Sequence, residues 1–324
     1  MAEAPRVSLS DIFAARRRFG DAIRRTPLVE SAQLSASAGG RVLLKLETLQ
    51  VTNSFKARGA LNAAAAFAER AGKNGTIVTA SAGNHGRGLA SAARALGLRA
   101  VVFTPRNAPS VKRRAIEQLG AELRAEADSY EASERMAQEY AEAAGLTYIS
   151  PYDHFDVIAG AGTVAVEILE DEPDVTVLVV PVGGGGLISG MAVAAKAINP
   201  SIQVIGVEVE ASTPFTSARR AGRVVTVDVG PTIADGLSGN PDPDTTTWPY
   251  IRDLVDAIVV VPEPALRAAL RHLITEEHLV AEGAGAVGVA ALAAGLLPLD
   301  GRTAAVVLSG ANIDGEKLVQ VLND

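Results

Sequence analysis

Short runs of β-branched and aliphatic residues alternate with longer, Ala-rich stretches of helical spacing along almost the whole chain. Positions 42–46, 76–79, 100–103, 175–182, 203–209, 258–261 and 303–308 read as strands. Segments such as 60–71, 87–96, 111–119, 133–144, 186–198 and 264–277 read as helices. The strands are apolar at consecutive positions rather than at every second one, which marks strands covered on both faces. Strands of that kind separated by helices predict an α/β fold with a mostly parallel sheet between helical layers. No internal repeat or low-complexity segment stands out. The Pro/Asp/Gly-rich stretch 236–243 predicts a long loop, and nothing in composition marks a domain boundary.

A length of 324 residues suits two domains or one large α/β enzyme. Aromatic residues make up only 4%, so the core must be built from Ala, Val, Leu and Ile. The net charge of −7 argues against nucleic acid or an anionic membrane as partner, so any bound anion has to be held by local dipoles. The absence of cysteine excludes disulfides, thiolate catalysis and Cys-based metal sites, and fits a reducing cytoplasm. Residues 1–20 lack the apolar run of a signal peptide. The Gly/Ala-rich stretch 283–299, interrupted by Pro298, falls short of a bilayer span. A cytoplasmic enzyme acting on a small molecule is the expectation.

Four segments carry candidate chemistry. In Thr52-Asn53-Ser54-Phe55-Lys56, ahead of an Ala-rich helix, Ser54 or Asn53 can cap the helix and place Lys56 in its first turn. The positive end of the helix would lower the amine's pKa, as a Schiff-base lysine needs. Taken alone, such a lysine reads far more readily as a solvated surface residue. The strand ending at Val182 runs into Gly183-Gly184-Gly185-Gly186 and then a helix, an arrangement that lets backbone N–H groups converge on an anion. Ile188 and Ser189 break a dinucleotide fingerprint, and Met191 after Gly190 breaks a triphosphate loop, so the guest is a phosphate of another kind. In Ser81-Ala82-Gly83-Asn84-His85 a second strand enters a helix, with donors for a carboxylate and an amide within reach of a ring oxygen. Ser309, in Ser-Gly-Ala-Asn at 309–312, follows the last strand at the carboxyl edge of the sheet, where α/β sites gather.

In this order the segments resemble the fold-type II pyridoxal-phosphate enzymes, specifically the threonine/serine dehydratase branch with its serine racemase-like members. Thr-Pro-Leu at 26–28, Ile-Ala-Gly-Ala-Gly-Thr at 158–163, Thr-Ile-Ala-Asp-Gly at 232–236 and Trp-Pro-Tyr-Ile-Arg-Asp-Leu-Val-Asp at 248–256 extend the likeness over nearly the whole chain. The resemblance implies a tryptophan synthase β-like architecture with two open, twisted, mostly parallel sheets flanked by helices. It places a large cofactor-binding domain at 1–68 and 156–324 and a small, substrate-closing domain at 69–155. It implies that Lys56 holds pyridoxal 5'-phosphate covalently and moves the Cα proton, with Phe55 against the ring and Asn84 on its phenolic oxygen. Gly183, Gly184, Gly185, Gly186 and Leu187 would cradle the phosphate, Ser309 would face the pyridine nitrogen, and Gly236 and Glu282 would line the ring. Ser81, Ala82, Gly83 and His85 would surround the substrate carboxylate; apart from the resemblance, His154 reads either as a further substrate contact or as an ordinary polar residue.

The implied reaction is dehydration and deamination of L-threonine or L-serine to a 2-keto acid and ammonia by a cytoplasmic homodimer or homotetramer. Dehydration of phenylserine or threo-3-hydroxyaspartate, or racemisation of serine or threonine, are the alternatives; Arg135 and His154 would suit an acidic substrate. Two departures weigh against racemisation. Related racemases carry Ser where Ala82 stands, and alanine has no proton to give. They also bind a divalent cation near Glu208 through a second carboxylate six residues on, where this chain has Pro214, so no metal is expected.

Overall fold

The computed structural model describes residues 6–72, 74–81 and 83–323. Its strands are β1 (Leu28–Glu30), β2 (Arg41–Leu46), β3 (Thr76–Ala80), β4 (Arg99–Pro105), β5 (Glu122–Ala127), β6 (Thr147–Tyr148), β7 (Val177–Pro181), β8 (Gln203–Val209), β9 (Ala257–Val261) and β10 (Thr303–Leu308). The helices are α1 (Leu9–Phe19), α2 (Ala32–Ala38), α3 (Lys56–Ala71), α4 (Asn84–Leu96), α5 (Ser110–Gln118), α6 (Tyr130–Ala143), α7 (Phe155–Asp171), α8 (Gly186–Ile198), α9 (Pro214–Ala221), α10 (Thr247–Leu254), α11 (Glu263–Thr275), α12 (Gly283–Ala293) and α13 (Gly315–Asn323). One sheet has six strands in the order β1-β2-β10-β7-β8-β9, the other four in the order β5-β4-β3-β6. Every pairing is parallel except β1 with β2.

The consecutive apolar positions read in the sequence are buried on both faces of the six-stranded sheet. Leu43, Leu178, Val180, Val204, Ala305 and Val307 face α1, α3, α7 and α8. Their neighbours Val42, Leu44, Val177, Val179, Val207 and Val306 face α2, α11 and α12. Each fully buried Val or Leu side chain contributes roughly 1.5–3 kcal/mol relative to exposure. The apolar stretch beginning at Gly283 forms α12, which is buried all round rather than set in a bilayer. No helix among the described residues is long and apolar enough to cross a membrane.

Strands β8 and β10 and helix α8 coincide with their apolar runs. The remaining differences have local causes. Strand β5, Glu-Leu-Arg-Ala-Glu-Ala, is a half-exposed edge whose polar residues hide it, while β1 and β6 are too short to leave a pattern. Helix α3 begins at Lys56, four positions before the Ala run. Its N-cap is Phe55, with the Ser54 hydroxyl only 3.4 Å from the Lys56 N–H. Asn53 does not cap it and has φ +56°.

Candidate active site

Adjacent parallel strands end together, so β2, β10 and β7 deliver three loops to one edge of the sheet. The loop after β2 is fastened onto the turn after β10. Phe55 N–H donates to the Ser309 carbonyl at 3.0 Å and Ala311 N–H to the Asn53 carbonyl at 2.9 Å. This seats Lys56, at the start of α3, beside Ser309.

Helix α7 brings the glycine run to the same place. A Cβ on Gly160 would lie 2.6 Å from the Arg58 carbonyl on α3, and one on Gly162 would lie 2.7 Å from the Gly190 carbonyl on α8. Only glycine allows these backbones to touch, and both helices dock on α7 with their N-termini at the edge that carries the loops. The geometric reason for Gly-Ala-Gly at 160–162 is therefore the placing of two helix starts.

Those starts meet across Pro151 and Tyr152. Lys56 Nζ donates to the Pro151 carbonyl at 2.7 Å and lies 5.1 Å from the centre of the Phe55 ring. The Tyr152 ring lies where a side chain on Gly184 would be, and its carbonyl is 2.9 Å from where a Cβ on Gly186 would sit. Gly185, at φ +89°, packs on Thr247, whose hydroxyl donates to the Gly184 carbonyl at 2.9 Å. Gly183 lies against the Gly236 carbonyl, and Leu187 is buried behind the turn. With the Gly184 carbonyl engaged from outside, the turn is left to offer N–H groups and the positive end of α8.

Lys56 and two titratable groups near it are pushed toward neutrality. Burial lowers the Lys56 amine to about 8, against the opposing charge of Glu282. Burial, with help from Lys56 and His154, drops His85 to about 3, although the Ile149 backbone acts the other way. His85 is 2% exposed, and neither ring nitrogen has a well-aligned partner among the described residues. Burial raises Glu282 to about 7, while its bond from Asn84 holds it down. A buried neutral imidazole, an amine lowered to about 8 and a turn of four glycines leave bonding capacity to spare around Lys56.

The other expected residues fall as follows. Ser81 is buried and its hydroxyl accepts from the Gly83 N–H at 3.2 Å, directly before α4. Ser309 is buried between Phe55 and the start of α12. Ala82 lies outside the described residues. His154 caps α7, its Nδ1 accepting from the Asp156 N–H at 3.2 Å, which leaves Nε2 for any other partner. Arg135 is exposed. The Glu208 carboxylate receives the Phe215 and Thr216 N–H groups at 2.8 and 2.9 Å, and burial raises its pKa despite these bonds. Among the described residues no three His, Asp or Glu side chains are grouped to hold a metal ion.

Sequence reasoning did not single out Tyr152, Thr247, Arg87 or Asn312. Thr247 and Asn312 stand beside or inside matched motifs, so a signal for them existed; Tyr152 and Arg87 carried none. A cluster of buried charge under α3 was missed as well. Arg58 bonds Glu47 at 2.7 and 2.8 Å and Glu167 at 2.6 and 2.8 Å, and Lys45 joins Glu167 at 2.7 Å.

A family described as pyridoxal-phosphate dependent enzyme matches residues 20–310, and the chain belongs to that family. Its relatives include the L-threonine ammonia-lyase of Thermotoga maritima, 42% identical over 98% of this chain and 78% of that protein. Another is the catabolic L-threonine dehydratase TdcB of Escherichia coli, 38% identical over 97% and 96%. Among solved structures, maize serine racemase superposes with a TM-score of 0.91 at 33% identity, covering 98% of each chain. A threonine deaminase from T.th. superposes at 0.86 with 38% identity, covering 95% of this chain and 99% of that one. The fold is thus the fold-type II architecture, and the cofactor is pyridoxal phosphate. The residues present fit that group: a turn of glycines at the start of a helix suits a phosphate, and a buried amine whose bond among the described residues is to a carbonyl suits an aldehyde.

Proposed function

We propose that this enzyme is an ammonia-lyase that removes water and then ammonia from L-threonine and L-serine. The observation that carries the reading is the meeting of the Lys56 amine and the tetraglycine turn on the same Pro151–Tyr152 backbone. The names of the relatives support the substrate class.

In this reading Gly183 to Gly186 and Leu187 hold the phosphate, Asn84 faces the phenolic oxygen, Ser309 the pyridine nitrogen, and Phe55, Gly236 and Glu282 line the ring. Bound pyridoxal phosphate supplies an electron sink for a carbanion at the substrate Cα. Lys56, whose amine is neutral above about pH 8, takes the proton from Cα at Nζ. Ser81, Gly83 and neutral His85, together with Ala82 from the sequence, surround the substrate carboxylate, and His154 reaches it through Nε2. A neutral hydroxyl at Ser309 does not hold a proton on the pyridine nitrogen as a carboxylate would, which favours elimination over transamination. The water lost from the substrate returns when the released enamine hydrolyses, so the net products are a 2-keto acid and ammonia.

Residues 69–155, which carry the four-stranded sheet, act in this proposal as a small domain closing on the rest. The Lys112–Asp235 ion pair at 2.8 Å links the two parts. The assembly we propose is a cytoplasmic homodimer or homotetramer. Keto acid and ammonia should form from threonine and serine faster than from phenylserine or threo-3-hydroxyaspartate. Release confined to either of the latter would move the substrate assignment. Inversion of recovered threonine with little ammonia would make the enzyme a racemase.

A further inference from the structure

We propose that Arg87 and Asn312 are positioning residues that dictate which end of the Asn84 amide faces the cofactor, so that Asn84 presents its NH₂ rather than its carbonyl. This rests on the reading of Asn84 as the neighbour of the phenolic oxygen.

An amide's two ends are alike in shape, so only its partners decide its orientation. Arg87 has donors alone, and its Nη1 lies 2.5 Å from Asn312 Oδ1. The Thr52 carbonyl can only accept, and it takes a proton from Asn312 Nδ2 at 2.9 Å. An obligate donor on one side and an obligate acceptor on the other leave Asn312 a single orientation. Its second N–H goes to Asn84 Oδ1 at 2.5 Å. The carbonyl end of Asn84 is thereby occupied. Its Nδ2 is left to point the other way, where it donates to Glu282 Oε1 at 2.5 Å.

The direction of every bond is therefore set from Arg87 and runs to Glu282. Arg87 and Asn84 stand three positions apart on α4 and share a face. Glu282 is anchored by its own N–H on the Gly310 carbonyl at 2.9 Å, and Gly310 has no room for a side chain because a Cβ would run into the Glu282 carboxylate. The charged groups acting on Glu282 are Asp235, Lys112 and Arg87, while Lys56 feels Glu282 in turn. An NH₂ aimed at the phenolic oxygen favours its ionised form, whereas a carbonyl there would favour the protonated form.

The test is the pH at which the visible band of the holoenzyme converts to its shorter-wavelength form. In Asn312→Asp the new carboxylate only accepts, so Asn84 must turn its NH₂ toward residue 312 and its carbonyl toward the ring. The conversion should then move by about one pH unit or more. In Asn312→Leu the lock is lost without being reversed, and the move should be less than about half as large. Equal shifts in the two variants, or none in either, would overturn the inference. If Asn312→Asp does not fold, the same contrast is read from Arg87→Lys, which keeps a donor and the wild-type conversion, against Arg87→Glu, which should shift it. Wild-type protein without any visible band would instead refute the cofactor reading itself, which separates the two failures.

Discussion

Lys56 and Arg58 stand two residues apart on the first turn of α3, and their surroundings differ in kind. Arg58 is fully buried with its nitrogens matched to two carboxylates, the Thr163 hydroxyl and the Arg24 carbonyl. Burial opposes the charge on Glu167, yet Arg58 and Lys45 hold its pKa below the usual carboxylate range. Among the described residues Lys56 has one carbonyl for a hydrogen-bond partner, beside a neutral imidazole and a carboxyl raised to about 7. Charges paired to completion mark the part of the helix that is structural; buried groups with bonding capacity unused mark the part that reacts.

The comparison can be broken where it is strongest. Glu167→Gln leaves Arg58 with Glu47 alone and takes from Lys45 the carboxylate it bonds, leaving it the Thr26 carbonyl, and stability should fall by about 3–5 kcal/mol. The shift of the urea midpoint at constant slope measures it, and a loss under about 1 kcal/mol would mean that the cluster is not the anchor of α3.

Glu282→Gln sharpens the other half. In the folded protein the Glu282 carboxyl sits near 7, against an ordinary 4.5, because burial disfavours its charge. Between those values the folded state binds more protons than the unfolded one, so this group's contribution is present at low pH and lost as pH rises toward 7. A carboxamide does not titrate. The stability of the variant apoprotein should therefore vary less across that window, by about 1–3 kcal/mol. Parallel stability curves for the two proteins would show that Glu282 is already ionised in the folded state.

Much of the frame was legible in the sequence. The continuous apolar runs at 203–209 and 303–308 are strands end to end because burial on both faces leaves no polar position to confuse them. The segments at Ser81, the four glycines and Ser309 were legible because each pairs a strand end with glycine or a small polar residue, where backbone donors become available. What escaped were residues whose roles arise from contacts across the fold. Arg58 meets Glu167 where α3 packs on α7, and Tyr152 lies against Gly184 and Gly186 next to the Pro151 carbonyl that Lys56 bonds. The direction of the Lys56 shift was legible from its place at a helix start, whereas the burial that lowers it is a property of the assembled molecule.

Reduction of the holoenzyme with borohydride, followed by peptide mass mapping, tests the account most directly. The cofactor's mass should remain on the peptide containing Lys56 and be absent from the one containing Lys45, a lysine at least as buried but bonded to Glu167 and the Thr26 carbonyl. Label on Lys45 or any other lysine, or none at residue 56, would contradict it.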